Sequence, residues 1–401
     1  MVTISFKIGK LGVLNTLMKK ILFPLLCLLQ LSITAHSQAV SQVAQAAKAE
    51  EGIKQMMEEE KVVGLSVAVV KNNKIIYTHS FGMQDIEKGI PLTDKSIFRI
   101  ASISKSFTAT SIMQLVEAKK ISLDDDFSDL IGFKVRNPKF PNTKITLRMI
   151  LSHTSSVNDS EGYFSLDVIN PAKNPNWEKC YDNYEPGKGY AYCNLNFNMT
   201  GAVIEKITGE RFDQYVKHHI LDPLGIEGGY CIDSLDKSKF ATIYEYSKEA
   251  SKFIASKDAY NPRSVEIKNH VMGQTTPIFS PTGGMKISAT GLAKYMIMHA
   301  RNGAYDGGNI ISRKSSIQMQ TKLSDEGNYG LALRISDKLI AGETMVGHTG
   351  SAYGLYSAMF FNVEKKFGIV VITNGCAITY DAGFNSVIKR TVNSLYDIFI
   401  K

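Results

Sequence analysis

With one tryptophan and five cysteines in 401 residues, the chain is too poor in cysteine to be a disulfide-built scaffold. It also lacks any block of lysine and arginine. The formal charge is +8, and half of it comes from Lys7, Lys10, Lys19 and Lys20, in a stretch of 37 residues with no acidic residue. The remainder is a mild, mixed surplus, which fits a solvated surface and gives no reason for a nucleic-acid partner. There is no internal repeat, no Gly-x-Ser-x-Gly, no His-Glu-x-x-His and no phosphate loop. The eight histidines show no metal-ligand spacing, and His218-His219, adjacent on a helical stretch, are not expected to face one site. Hydrophobic residues make up 44%, ample for a large core, and the length allows one large domain or two intimately packed ones.

The N-terminal stretch reads as an export signal. Lys19-Lys20 starts it, and an apolar run from Ile21 to Ile33 follows. That run is too short for a bilayer span. Ala35-His36-Ser37 offers small residues for cleavage before Gln38. The expectation is a signal peptide over 1–37, with Met18 as an alternative start of translation, and a mature domain over 38–401 without an integral membrane span. Cys27 lacks the small residues that precede a lipidated cysteine, so a cleaved periplasmic or secreted protein is preferred to a lipoprotein. Four cysteines then remain, Cys180, Cys193, Cys231 and Cys376. Either some pair, with Cys180 and Cys193 the nearest in sequence, or all are small buried apolar residues.

One stretch organises the rest: Ile100-Ala101-Ser102-Ile103-Ser104-Lys105-Ser106-Phe107. Phe107, Ile112, Met113, Leu115 and Val116 follow at the spacing of an amphipathic helix. Residues three apart share a helix face, so Lys105 is expected one turn above the Ser102 hydroxyl. A free hydroxyl is a weak nucleophile, and a neighbouring base or a lysine of depressed pKa activates it. Alone the pair is unspecific, because serine is a common N-cap and lysine a common surface residue.

Around it, Ser41 to Glu60 reads as a helix. Leu65 to Val70 and Lys74 to Tyr77 read as strands joined at Asn72-Asn73. Phe81-Gly82 and Pro91-Leu92-Thr93 look like loops, and Leu147 to Leu151 like a helix. Residues 156–190 lose periodicity but hold Tyr163, Phe164, Trp177, Tyr181 and Tyr184. This is a wall or lid of a site, or a surface excursion held by aromatic contacts. It delivers Tyr192-Cys193-Asn194, ahead of a helix closed by Gly209. A tyrosine can serve as base if ammonium groups lower its pKa, and an asparagine can orient a lysine or a substrate amide. Residues 227–280 are polar and weakly patterned. Ser280 to Met285 is turn-rich, and Ser288 leads into another helix. Val346-Gly347-His348-Thr349-Gly350-Ser351 precedes strands at Leu355 to Asn362 and Phe367 to Thr373. A last helix runs through Phe384, Val387, Ile388, Val392 and Leu395.

Taken in order, Ser102-x-x-Lys105, Tyr192-x-Asn194 and His348-Thr349-Gly350 resemble the serine β-lactamase-like superfamily, in particular its class C β-lactamase, DD-peptidase and esterase group. The likeness extends over roughly 45–395. It implies an α/β sandwich of the β-lactamase/transpeptidase type: an antiparallel sheet from both chain ends, flanked by helices, with an inserted all-helical region. It also implies Ser102 as nucleophile, Lys105 and Tyr192 sharing the proton work, and Asn194, His348, Thr349 and Gly350 binding substrate. The amides of Ser102 and Ser351 would form the oxyanion hole. No metal or organic cofactor is required, and the substrate would be a small ester, amide or peptide.

Two positions depart from the pattern. His348 stands where β-lactamases and DD-peptidases carry a lysine that helps hold the substrate carboxylate. Without that cation, penicillins are expected to be poor substrates and neutral esters better ones. Cys193 stands where many relatives have serine, and a disulfide there would stiffen Tyr192. Three readings follow: a hydrolase more esterase- or peptidase-like than a true β-lactamase, an acyltransferase using an alcohol or amine acceptor, and a weakly catalytic penicillin-recognising module.

Overall fold

The computed structural model describes residues 43–401. The expected signal over 1–37, with Met18 and Cys27, lies outside them. A helix runs over 43–59 (α1), and the architecture that carries the site lies within Ile53–Lys401.

A seven-stranded antiparallel sheet is built from both parts of the chain. Its strands are β1 (Gly64–Lys71), β2 (Lys74–Asp85), β3 (Ile90–Pro91), β4 (Arg334–Ser336), β5 (Met345–Ala352), β6 (Leu355–Asn362) and β7 (Phe367–Gly375). They lie in the order β4-β5-β6-β7-β1-β2-β3. Asn72 and Asn73 both adopt positive φ, 54° and 59°, as a two-residue hairpin turn requires. β6 and β7 are buried at every position, and β1 at all but its last. Strands covered on both faces need no polar alternation, which is why these segments read as continuous apolar runs. The helices α5 (Ala289–Ala300) and α6 (Ser386–Phe399) pack against this sheet.

Between β3 and β4 lies the inserted region, with α2 (Ser104–Glu117), α3 (Leu147–Leu151) and α4 (Asn194–Thr208). It is mainly helical and also carries short strand pairings, among them Tyr244–Ser247 with Lys252–Ala255. The weak patterning of 227–280 hid these. Gly209, at φ 70°, ends α4 as a left-handed C-terminal cap.

Several expectations need correction. Phe81-Gly82 is not a loop but part of β2, paired with Leu65 and Gly64. Phe384 precedes α6 in a short strand, and Asn385 caps the helix. α2 is not amphipathic: every residue from Ser104 to Met113 is buried. Its hydroxyls find internal partners, as when Thr108 donates to the Pro281 carbonyl at 2.9 Å and Ser106 to that of Ile103 at 2.8 Å. Hydroxyls so satisfied can sit in a core. His218 and His219 do converge, both on the Glu210 carboxylate, because a π-turn over Lys217–Leu221 carries them. The four described cysteines are all buried and free, so the Cys180–Cys193 pair does not form. Cys193 donates its thiol to Asp159 instead, at 3.2 Å.

Candidate active site

Ser102 sits in a 3-10 turn, Ala101–Ile103, that runs straight into α2. The residue before it, Ala101, has φ 46°. For a non-glycine residue this left-handed conformation costs about 1–2 kcal/mol. The turn sets Ser102 on the wall of a cavity of about 1000 Å³, counting its open mouth.

Lys105 Nζ lies 3.0 Å from Ser102 Oγ. The ammonium is fully buried. Its other contacts are Asn194 Oδ1 at 2.9 Å and the Thr282 carbonyl at 3.0 Å. Both of these oxygens can only accept. A neutral amine has two N–H donors for them and one lone pair left for the serine proton. Burial brings the Lys105 pKa down to about 7, against the charge of Asp159, which raises it. Near pH 7, then, a sizeable share of Lys105 is free amine.

Tyr192 lays its ring against this lysine, with Nζ 4.7 Å from the ring centre. The residue is 40% exposed at the cavity wall. Loss of solvent within the site pushes its hydroxyl pKa upward, and a hydrogen bond with Ser102 pulls the other way. The condition for a tyrosinate base, a lowered pKa, is not met. The phenol keeps its proton and Lys105 is the group that can give its up.

Asn194 is oriented from outside its own helix. α4 has no side-chain cap from its neighbouring residue Cys193. Asp159, from the 156–190 stretch, fills the place. Its carboxylate accepts from the backbone amides of Asn194 and Leu195, each at 2.9 Å, and from Asn194 Nδ2 at 2.9 Å. A carboxylate at a helix N-terminus is favoured by the unpaired amides and the helix dipole. Because the amide nitrogen of Asn194 is committed to Asp159, its oxygen must face Lys105 and the Thr282 hydroxyl.

The β5 side is shaped by Gly350. A Cβ there would lie 2.2 Å from the Ile100 carbonyl oxygen, so only glycine lets the strand come this close to the Ser102 turn. β4 pairs with β5 only as far as Gly347, which leaves His348 to Ser351 beyond its end. His348 is buried, and both ring nitrogens are engaged. Its Nδ1–H donates to the Thr349 carbonyl, and Nε2 accepts from the Tyr329 hydroxyl at 2.7 Å. Burial lowers its pKa to about 3, so it is neutral. Ser351 and Ala352 are the β5 residues that line the cavity, and His348, Thr349 and Gly350 are not part of its lining; the His348 ring lies 6.2 Å from that of Tyr192. His153 supports the opposite side. It accepts the Cys193 amide on Nδ1 at 3.1 Å and packs its ring 4.3 Å from that of Tyr192.

The structure thus gathers Ser102, Lys105, Tyr192, Asn194 and Ser351 around one cavity. Tyr163 and Phe164 also line it, so the aromatic stretch is a wall. Sequence reasoning gave no role to Asp159, Thr282, His153 or Arg99. The turn-rich Ser280–Met285 segment carried a signal, since its glycines allow the close return that puts the Thr282 carbonyl on Lys105.

A Beta-lactamase family profile matches residues 49–379. The chain belongs to the Beta-lactamase family. It is 26% identical over 317 residues to Protein flp of Staphylococcus aureus (strain MRSA252), covering 78% of this chain and 60% of that protein. The chain therefore spans about 60% of the length of the first curated relatives it matches. Among solved structures it is similar to the octameric penicillin-binding protein homologue from Pyrococcus abyssi, with TM-score 0.67 and 27% identity over 88% of this chain and 76% of that one. It also shares the fold of EstCE1, a hydrolase with promiscuous acyltransferase activity, at TM-score 0.70 and 20% identity, over 90% of this chain and 100% of that one. The β-lactamase/transpeptidase-like fold expected of the family is the one observed. Among the described residues no helix is long and apolar enough to cross a membrane.

Proposed function

We propose that this protein is a serine hydrolase that cleaves an ester or amide through an acyl-Ser102 intermediate. The observation that carries this is the 3.0 Å contact between Ser102 Oγ and a buried lysine whose pKa is lowered to about 7. As Oγ attacks the carbonyl carbon, the Lys105 amine takes its proton. The Tyr192 hydroxyl, held protonated, gives a proton to the leaving group and recovers one from Lys105. The amides of Ser102 and Ser351 receive the oxyanion. Asn194 holds Lys105 and meets the substrate, and water then releases the acid. The neutral His348 supplies no cation for a carboxylate held close to the scissile bond, which disfavours β-lactams. A fluorophosphonate probe tests the reading: it should label Ser102, and Ser102→Ala should abolish labelling. Labelling that survives the substitution moves the nucleophile elsewhere.

A second reading is acyl transfer. It is favoured by the Tyr163–Phe164 wall, whose rings lie 4.4 Å apart and whose Phe164 is 63% exposed. Such an apolar shelf can hold an alcohol acceptor and keep water away. EstCE1, of the same fold, is described as having that promiscuous activity. Product analysis with an activated donor and added alcohols decides: free acid alone at every alcohol concentration removes it. For location we propose export, on the lysine, apolar and small-residue order of 19–37. N-terminal sequencing of the mature protein should begin at Gln38; an intact signal refutes it.

A further inference from the structure

A second cavity adjoins the first. The two share Arg99, Phe164, Ser280 and Tyr353 as a common wall. The second holds about 730 Å³, counting its mouth. Behind the shared wall it is lined by Lys286, with Arg263 at its rim, and by no acidic residue among those described.

Arg99 and Lys286 are both poorly compensated. Lys286 is 7% exposed. Among the described residues its one hydrogen-bond acceptor is the Tyr230 carbonyl, at 2.7 Å, which leaves an ammonium with unused N–H groups. Arg99 donates Nε to the Gly283 carbonyl at 2.9 Å and lies 5.0 Å from the centre of the Tyr353 ring. Neither is ion-paired among the described residues. Arg263 is, to Glu266 at 3.0 Å. Asp213, whose charge acts on Lys286, is already paired with Arg211 at 2.6 Å. Burial, then repulsion from Arg99, brings the Lys286 pKa down to about 7. A buried ammonium beside a half-buried guanidinium without a carboxylate is costly unless an anion joins them. The apolar part of the lining, Ile278 and Phe279 included, would strengthen that attraction by excluding water. The chemistry of the Ser102 reaction uses neither residue.

We propose that this chamber is an anion subsite of the active site, where Arg99 and Lys286 hold a carboxylate carried by the substrate. The proposal rests on the hydrolase reading above and narrows its substrate class. The cation missing at His348 is thereby replaced on a different wall. Substrates that reach the chamber from Ser102 on a flexible arm gain a charge-assisted contact, while neutral esters do not.

Two kinds of experiment test it. In the first, kcat/KM is compared for p-nitrophenyl hemiglutarate and p-nitrophenyl butyrate, and for the butyrate esters of 3-hydroxy-4-nitrobenzoic acid and its methyl ester. The first pair carries the carboxylate on the acyl side and the second on the leaving group. One acidic ester should exceed its neutral partner. Lys286→Met should cut that ratio about ten- to hundredfold, as expected for a lost charge-assisted bond, mainly through KM. The second experiment needs no turnover: calorimetric titration of Ser102→Ala with glutarate. Binding that weakens in Ser102→Ala/Lys286→Met supports the subsite even if Ser102 proves not to be the nucleophile. No advantage for either acidic ester, or a ratio unmoved by Lys286→Met, overturns it. So does glutarate binding indifferent to residue 286, or no glutarate binding at all.

Discussion

Asp159→Asn is the perturbation that separates holding the site together from tuning it. The substitution keeps the shape and removes the charge. Four contacts are affected: the amides of Asn194 and Leu195 and the Asn194 side chain, each at 2.9 Å, and the Cys193 thiol at 3.2 Å. An asparagine can offer one oxygen to this cluster of donors; its own N–H groups face the rest. Losing a helix cap costs about 0.5–2 kcal/mol, and a hydrogen bond to a charged group is worth about 1.5–3 kcal/mol. A total loss of about 2–4 kcal/mol is expected. With the usual unfolding entropy per residue, that lowers Tm by roughly 3–6 °C. The electrostatic consequence is independent of this. Asp159 raises the Lys105 pKa against the effect of burial. Removing its charge must therefore lower that pKa further. If the free amine of Lys105 is the active form, the acid limb of kcat/KM moves to lower pH. At the same time kcat/KM on the plateau falls about ten- to hundredfold, because Asn194 is free to turn its amide. The assay is a pH–rate profile with a neutral p-nitrophenyl ester beside a thermal melt. An acid limb that stays put or moves up, with the Tm loss present, would refute the coupling and leave Asp159 as a cap only.

Three further outcomes follow from the same geometry. In the native protein kcat/KM should rise through a limb near pH 7, set by Lys105, and Lys105→Arg should remove activity at every pH, since a guanidinium stays charged; measurable turnover by that variant would rule out the amine as base. Lys105→Met should stabilise the fold. A lysine whose folded pKa lies near 7 and unfolded pKa near 10.4 binds more protons unfolded, so its penalty is full below pH 7 and fades as pH rises toward 10. The gain, on the order of a few kcal/mol less what the two orphaned acceptors cost, should be largest at pH 6 in urea titrations; a gain that grows toward pH 10 contradicts the assignment. His348→Lys should raise nitrocefin turnover relative to a neutral ester by adding a cation at this position of β5, and an unchanged ratio would show that it does not govern carboxylate binding.

What the sequence made legible was whatever local spacing determines. Ser102 and Lys105 are three residues apart on one turn, and the hairpin at Asn72-Asn73 declares itself by residue type. The long apolar strands were visible because burial on both faces leaves no alternation to misread. The missed parts depend on tertiary placement. Asp159 caps a helix that begins 35 residues later, from a stretch with no periodicity. Thr282 meets Lys105 through a backbone carbonyl, which any residue would supply. α2 was misread as amphipathic because its serines and threonines look solvent-facing until their partners on neighbouring segments are known. Lys286 looks like any surface lysine in the sequence, and only its burial sets it apart.

The pairing of β1 with β7 imposes an order on synthesis. β1 and β2 leave the ribosome together and can close their hairpin at once. The other edge of β1 has to wait for β7, roughly 300 residues later, from Gly64 to Gly375. At about 5–20 residues per second that is a delay of roughly 15–60 s. Throughout it an apolar strand edge stands open, the kind of edge that recruits other chains. The Ser102 turn is also unfinished, because the β5 wall that closes on it, through Gly350 and Ile100, is made in the same late interval. A nascent chain is thus both sticky and inert until its last quarter emerges, and any break in translation before β7 yields a fragment without the strand that joins β6 to β1.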